Sequence, residues 1–128
     1  MREIKFRGKR RDNNQITYGD LCIYDDMVFI GIAKTITEIR KDVFVPSVIW
    51  YEVEPENVGQ FTGILDKNKK EIYEGDIVKH RNGISKIIFN HLSFTIHNEQ
   101  EFETYLHEWW TGDLEVIGNI YENPELIK

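Results

Sequence analysis

The sequence is poor in the residues that carry most recognisable chemistry. Its 128 residues hold one cysteine, Cys22, which excludes an internal disulfide. Cys22 lies in an apolar, strand-like run and reads as a small buried side chain. As a nucleophile it would need a histidine brought near by the fold. The four histidines, His80, His91, His97 and His107, show neither the i, i+2 spacing of a strand site nor the i, i+4 spacing of a helix site. With a single thiolate beside them, a structural zinc is not expected. Gly8, Gly19, Gly59, Gly63 and Gly75 are isolated from one another, so no glycine-rich loop is present to cradle a phosphate. Nine glycines and three prolines are too few for a fibrous or disordered chain. Apolar runs stay well short of the ~20 residues a membrane helix needs, and no charged-then-apolar stretch suggests secretion, so no leader is expected. A single cytoplasmic domain without cofactor or membrane partner is the expectation.

Charge is present but uneven. The net charge is −6, yet the first eleven residues carry Arg2, Lys5, Arg7, Lys9, Arg10 and Arg11 against Glu3 alone. Such a basic strip can mark an arm for nucleic acid. The plainer reading is a terminal strand with these residues in solvent and Ile4 and Phe6 facing inward, and it is preferred because an acidic body repels phosphate. Glu52, Glu54 and Glu56 recur at period two, one face of a strand. They could hold a cation, but Pro55 breaks the strand and no further oxygen-ligand pattern follows, so a solvated face is expected. Asp25-Asp26 suits a turn. Asp20 and Asp76 each follow a glycine, and bonding backbone amides at the start of a strand is preferred for them over acid chemistry.

Most of the chain reads as short strands. Ile4 and Phe6 alternate with charges, Leu21 to Tyr24 and Met27 to Ala33 flank an Asp25-Asp26 turn, and Val43 to Val45 and Val48 to Val53 flank Pro46. Thr35 to Asp42 reads as a hairpin arm or a loop. Asn82-Gly83 between apolar runs predicts a tight hairpin, and Leu92 to His97 a third strand. Asn98 with Glu101 forms a capping-box pattern. Phe102, Tyr105, Leu106 and Trp109 then follow at i, i+3, i+4 and i+7, which predicts a helix ending near Gly112. Its end carries Trp109 and Trp110 side by side, so only one can share the buried face. The other marks a candidate interaction surface.

The densest stretch is FTGILDKNKKEIYEGDIV, Phe61 to Val78. It combines a polar turn at Asp66 to Lys70, an aromatic edge at Tyr73, a Gly75-Asp76 turn and the β-branched pair Ile77-Val78, common opening chemistry for small SH3-like barrels. Together with EVIGNIYENPEL near the end (Glu115 to Leu126) and MREIKFRG at the start (Met1 to Gly8), it closely resembles the YopX family of phage and prophage proteins. The resemblance spans both ends and the middle, while Asp25 to Ser47 is not distinctive. It implies a β-rich fold in a phage-encoded protein of no established activity, and it carries no catalytic residues. Relatives usually have glycine in the turn where this chain has Lys69. A left-handed lysine there costs on the order of 1 kcal/mol.

The expected fold is mostly β (a β-rich α+β class): two small SH3-like or pseudo-barrel lobes, about 1–55 and 56–128, with one late α-helix in a single domain. A possible repeat relates them, since Phe6, Tyr18 and Gly19-Asp20 line up with Phe61, Tyr73 and Gly75-Asp76. Gly75, Asp76, Asn82 and Gly83 are expected to act as structural turn residues. The expected role is that of a non-catalytic accessory protein in the bacterial cytoplasm, acting by contacts with a phage or host protein or by homo-oligomerisation. A nucleic-acid module using Arg2 to Arg11 is the alternative, and a small enzyme built on unplaced acids the third reading.

Overall fold

The computed structural model describes residues 3–90, 92–98, 103–109 and 111–127. Strands take 64% of the chain against 9% helical, so the protein is mostly β. By backbone contacts it divides into two compact units, meeting between Val58 and Gly59.

The unit of residues 4–58 is an antiparallel meander. Strands β1 (Phe6–Lys9), β2 (Ile16–Tyr24), β3 (Met27–Arg40) and β4 (Val43–Val53) pair in sequence order. β-branched and aromatic residues dominate β3 and β4, which suits a pleated surface. The core is small: Val28, Ile30 and Val53 are buried, with Phe6, Leu21 and Val58 packed against them. Gly19 sits in the middle of β2, where a Cβ would lie 2.1 Å from the Gly31 carbonyl oxygen. Only glycine lets the two strands approach there. Ile4, expected inward, is 54% exposed, and Cys22, expected to be buried, is also exposed. Cys22 follows Leu21, which packs against the core, so strand alternation turns it to the opposite face.

Residues 59–128 contain a β5 (Gly59–Leu65) and β6 (Glu71–Tyr73) ribbon and a five-stranded antiparallel sheet. Its strands are β7 (Asp76–His80), β8 (Gly83–Asn90), β9 (Ser93–His97), β10 (Glu103–Tyr105) and β11 (Glu115–Asn119), in the order β10-β9-β8-β7-β11. Ile72, Val78, Ile87, Ile96, Leu106 and Leu114 form its core, joined by Ile64, Phe94, Trp109 and Val116.

No described sheet closes on itself, so open antiparallel sheets replace the expected barrel-like lobes. The late helix is also corrected. Residues 103–105 form β10, with Tyr105 opposite Thr95, and 3-10 turns follow at Leu106–Glu108 and Thr111–Asp113. An isolated helix of a dozen residues is marginal in water, whereas the open edge of β9 offers backbone partners at once. The apolar spacing still serves burial, because Leu106 and Trp109 reach the core from these turns. Glu99, Glu101 and Phe102 lie outside the described residues. The expected tight hairpin forms one residue earlier: His80 pairs with Gly83, leaving Arg81-Asn82 as the turn. The Gly-Asp pairs differ in setting, since Gly19 is inside a strand while Gly75 takes φ +94° in the turn before β7.

Candidate interaction surface

Acids that might have done chemistry anchor turns instead. Asp66 is buried, and its Oδ1 accepts from the backbone N–H of Asn68 (2.8 Å) and Lys70 (2.9 Å). Its Oδ2 accepts from Val116 N–H at 2.9 Å, tying the turn to β11. Burial alone would raise its pKa, but the Val116, Lys70 and Asn68 donors outweigh that and hold the carboxyl below the usual range. The turn they shape puts Lys69 at φ 64°, in the left-handed region. Asp76, 1% exposed, accepts from Tyr73 N–H at 2.8 Å and so fixes the Glu74-Gly75 turn. Asp20 is exposed in mid-strand.

Around the Arg81-Asn82 turn, charged groups gather in a shallow cleft of about 240 Å³ lined by Lys67, Lys79, His80, Arg81, Asp113 and Glu115. Its cations face its acids: Lys67 Nζ lies 3.8 Å from Glu115 Oε1, and Arg81 Nε 3.8 Å from Asp113 Oδ2. Asp113 also accepts from Arg81 N–H at 3.0 Å. His80 beneath is buried. Its Nδ1 accepts from Asn82 N–H at 3.1 Å, so Nε2 carries the proton and faces Ser85 Oγ at 2.7 Å. Desolvation, with Arg81 nearby, lowers its pKa despite Asp113. Trp109 stands edge-on to this ring, centroids 5.0 Å apart. It therefore helps close the core of its own unit instead of forming an outer patch, and Trp110 lies outside the described residues. Among the described residues no group of three or more His, Cys, Asp or Glu could hold a metal.

Two members of the basic strip, Arg10 and Arg11, are engaged by acids of their own unit. Arg7 is 9% exposed. Arg10 clasps Asp12, Nε to Oδ1 at 2.8 Å, and lies 3.7 Å over the Tyr51 ring. That hydrogen bond holds the Asp12 carboxyl below its usual range. Arg11 reaches Glu52 (3.2 Å) and Glu54 (3.4 Å), the period-two acids. Glu56 belongs to the 3-10 turn Pro55–Asn57. Lys5 and Lys9 are partly exposed, and Arg2 lies outside the described residues.

What remains unclaimed is the β3–β4 ribbon. β2 pairs with β3 only as far as Gly31, so from Ile32 to Val48 the ribbon consists of two strands alone. Register shifts at Lys34 and Ile39 bend it, and Lys41-Asp42 turns it. One face presents Trp50, Val48, Pro46, Phe44 and Ile36, with Trp50 packed across Gly31. Ile36 is 63% exposed, Phe44 59% and Trp50 46%. In the sequence Val43 to Val45 and Val48 to Val53 stand apart on either side of Pro46, whereas the structure runs one strand through it. An edge strand tolerates proline, which lacks only an outward donor. The signal was the β-branched and aromatic density on both sides of it.

Among the described residues no helix is long and apolar enough to cross a membrane. Comparison with known proteins agrees with the fold. The chain superposes over its full length, and over all of the other chain, on protein EF1440 from Enterococcus faecalis (TM-score 0.63, 21% identity). The same full coverage holds for protein yopX from Bacillus subtilis (TM-score 0.53, 21% identity). No curated protein matches. The family described as YopX protein matches residues 5–128, from the first strand to the last residue, and the chain therefore belongs to the YopX family.

Proposed function

We propose that the chain is a phage or prophage accessory protein that performs no chemistry of its own and acts in the bacterial cytoplasm through protein contacts made by the β3–β4 ribbon. The observation that carries this reading is a two-stranded ribbon of Ile32 to Val48 with large apolar side chains in solvent. Isolated two-stranded ribbons are marginal in water, and exposed apolar patches of this kind mark contact surfaces. The non-catalytic reading is supported by the occupation of Asp66 and Asp76 by backbone donors. Protein is favoured over nucleic acid because Arg10 and Arg11 already face Asp12, Glu52 and Glu54.

The experiment is cross-linking in the bacterial host with a tagged full chain and a variant whose residues 34–46 are replaced by a two-residue turn. Adducts formed by the full chain should vanish with the shortened ribbon while the variant keeps its strand circular dichroism. Adducts that persist unchanged would refute the reading. Retention on a DNA column should show no salt slope; a steep one would favour the nucleic-acid alternative.

A further inference from the structure

We infer that the occupant of this surface is a second copy of the chain, whose ribbon lies face to face and antiparallel on the first about a two-fold axis. The inference rests on the contact reading above and names its partner. Two observations support it. First, size: at ~150–250 Å² per large side chain, the exposed fractions of Ile36, Phe44 and Trp50 with the smaller Ala33, Pro46 and Val48 amount to roughly 500 Å² of apolar surface. Two copies would remove about 1,000 Å², the level a stable interface needs before its polar rim is counted.

Second, the face is self-complementary in shape. From base to tip the cross-strand pairs run Gly31–Trp50, Ala33–Val48, Ile36–Pro46 and Glu38–Phe44. Reversing one ribbon on another sets Trp50 of each copy against Phe44 of the other, and brings the Ala33–Val48 and Ile36–Pro46 steps together at the axis. An isologous contact of this kind closes on itself and leaves no patch to propagate.

The test is light scattering of the full chain at micromolar concentration, beside Ile36→Lys/Phe44→Arg. The wild type should show twice the chain mass. Ile36→Lys/Phe44→Arg should return the single mass with unchanged circular dichroism, since both side chains lie in solvent. A wild-type monomer overturns the second copy. If that monomer still loses a host-cell adduct with Ile36→Lys/Phe44→Arg, the contact reading survives with a different partner; if no adduct changes, both fall. A dimer indifferent to Ile36→Lys/Phe44→Arg overturns this face as the interface.

Discussion

Replacing Lys69 by glycine should stabilise the protein. Lys69 holds φ 64° because the preceding turn is fixed from both sides: Asp66 N–H donates to the Lys70 carbonyl at 2.8 Å, and Lys69 N–H to the Asp66 carbonyl at 3.0 Å. An L-residue in that region costs about 1–2 kcal/mol. Glycine removes the cost but adds about 0.5–1 kcal/mol of unfolded-chain entropy. The lysine side chain is exposed, so little contact is lost with it. The balance is a gain of roughly 0.5–1 kcal/mol. With a urea dependence of ~1–3 kcal/mol/M, the midpoint should rise by a few tenths of a molar. Tryptophan fluorescence reports it through Trp109, which packs in the same unit. Alanine at the same position retains the strain and serves as the control. A glycine variant no more stable than the alanine variant would refute the reasoning, because relief of backbone strain distinguishes them.

Leu92→Gly should gain at least as much, since Leu92 is 93% exposed at φ 64°; thermal melting checks it. Asp66→Ala should cost about 2–4 kcal/mol, because three backbone donors lose a charged acceptor, measured by urea unfolding. The folded Asp66 pKa is lowered, so the stability it contributes is present above about pH 4 and is lost as pH falls towards the folded value. In Asp66→Asn the acid-induced loss between about pH 5 and 3 should therefore shrink. His80 is also lowered, which for a base has the opposite consequence for its charge. The unfolded chain takes up the proton first, so stability falls as pH drops below about 6.5. His80→Gln should flatten that part of the profile, and NMR should show the His80 ring neutral where free imidazole is half protonated.

The sequence disclosed the strands and turns better than the way they assemble. Asp66 to Lys70, Gly75-Asp76 and the Arg81-to-Gly83 hairpin were legible because their chemistry is local. The segment ending at Trp109 was not: its apolar spacing fits a helix, but the choice was made by the β9 edge, which sequence spacing does not reveal. Of the two adjacent tryptophans only one was expected on the buried face; Trp109 takes that place, over His80, and Trp110 lies outside the described residues. Trp50, solitary in the sequence, is left partly in solvent because it lies on the face of β4 opposite the Val28, Ile30 and Val53 core. The basic strip, conspicuous as a charge run, found partners at Glu52 and Glu54 some forty residues on.

The link from Asp66 to Val116 has a consequence for synthesis. Strand β7 waits for β11, which follows it by more than thirty residues, and the Asp66 turn waits for the same strand. Within residues 4–58, by contrast, β1 to β4 each pair with a neighbour in sequence. On a ribosome adding residues from the N-terminus, β1 to β4 can pair with one another while the second unit remains unclosed. During that interval the ribbon is already displayed, and neighbouring nascent chains on one message could meet through it before either is released.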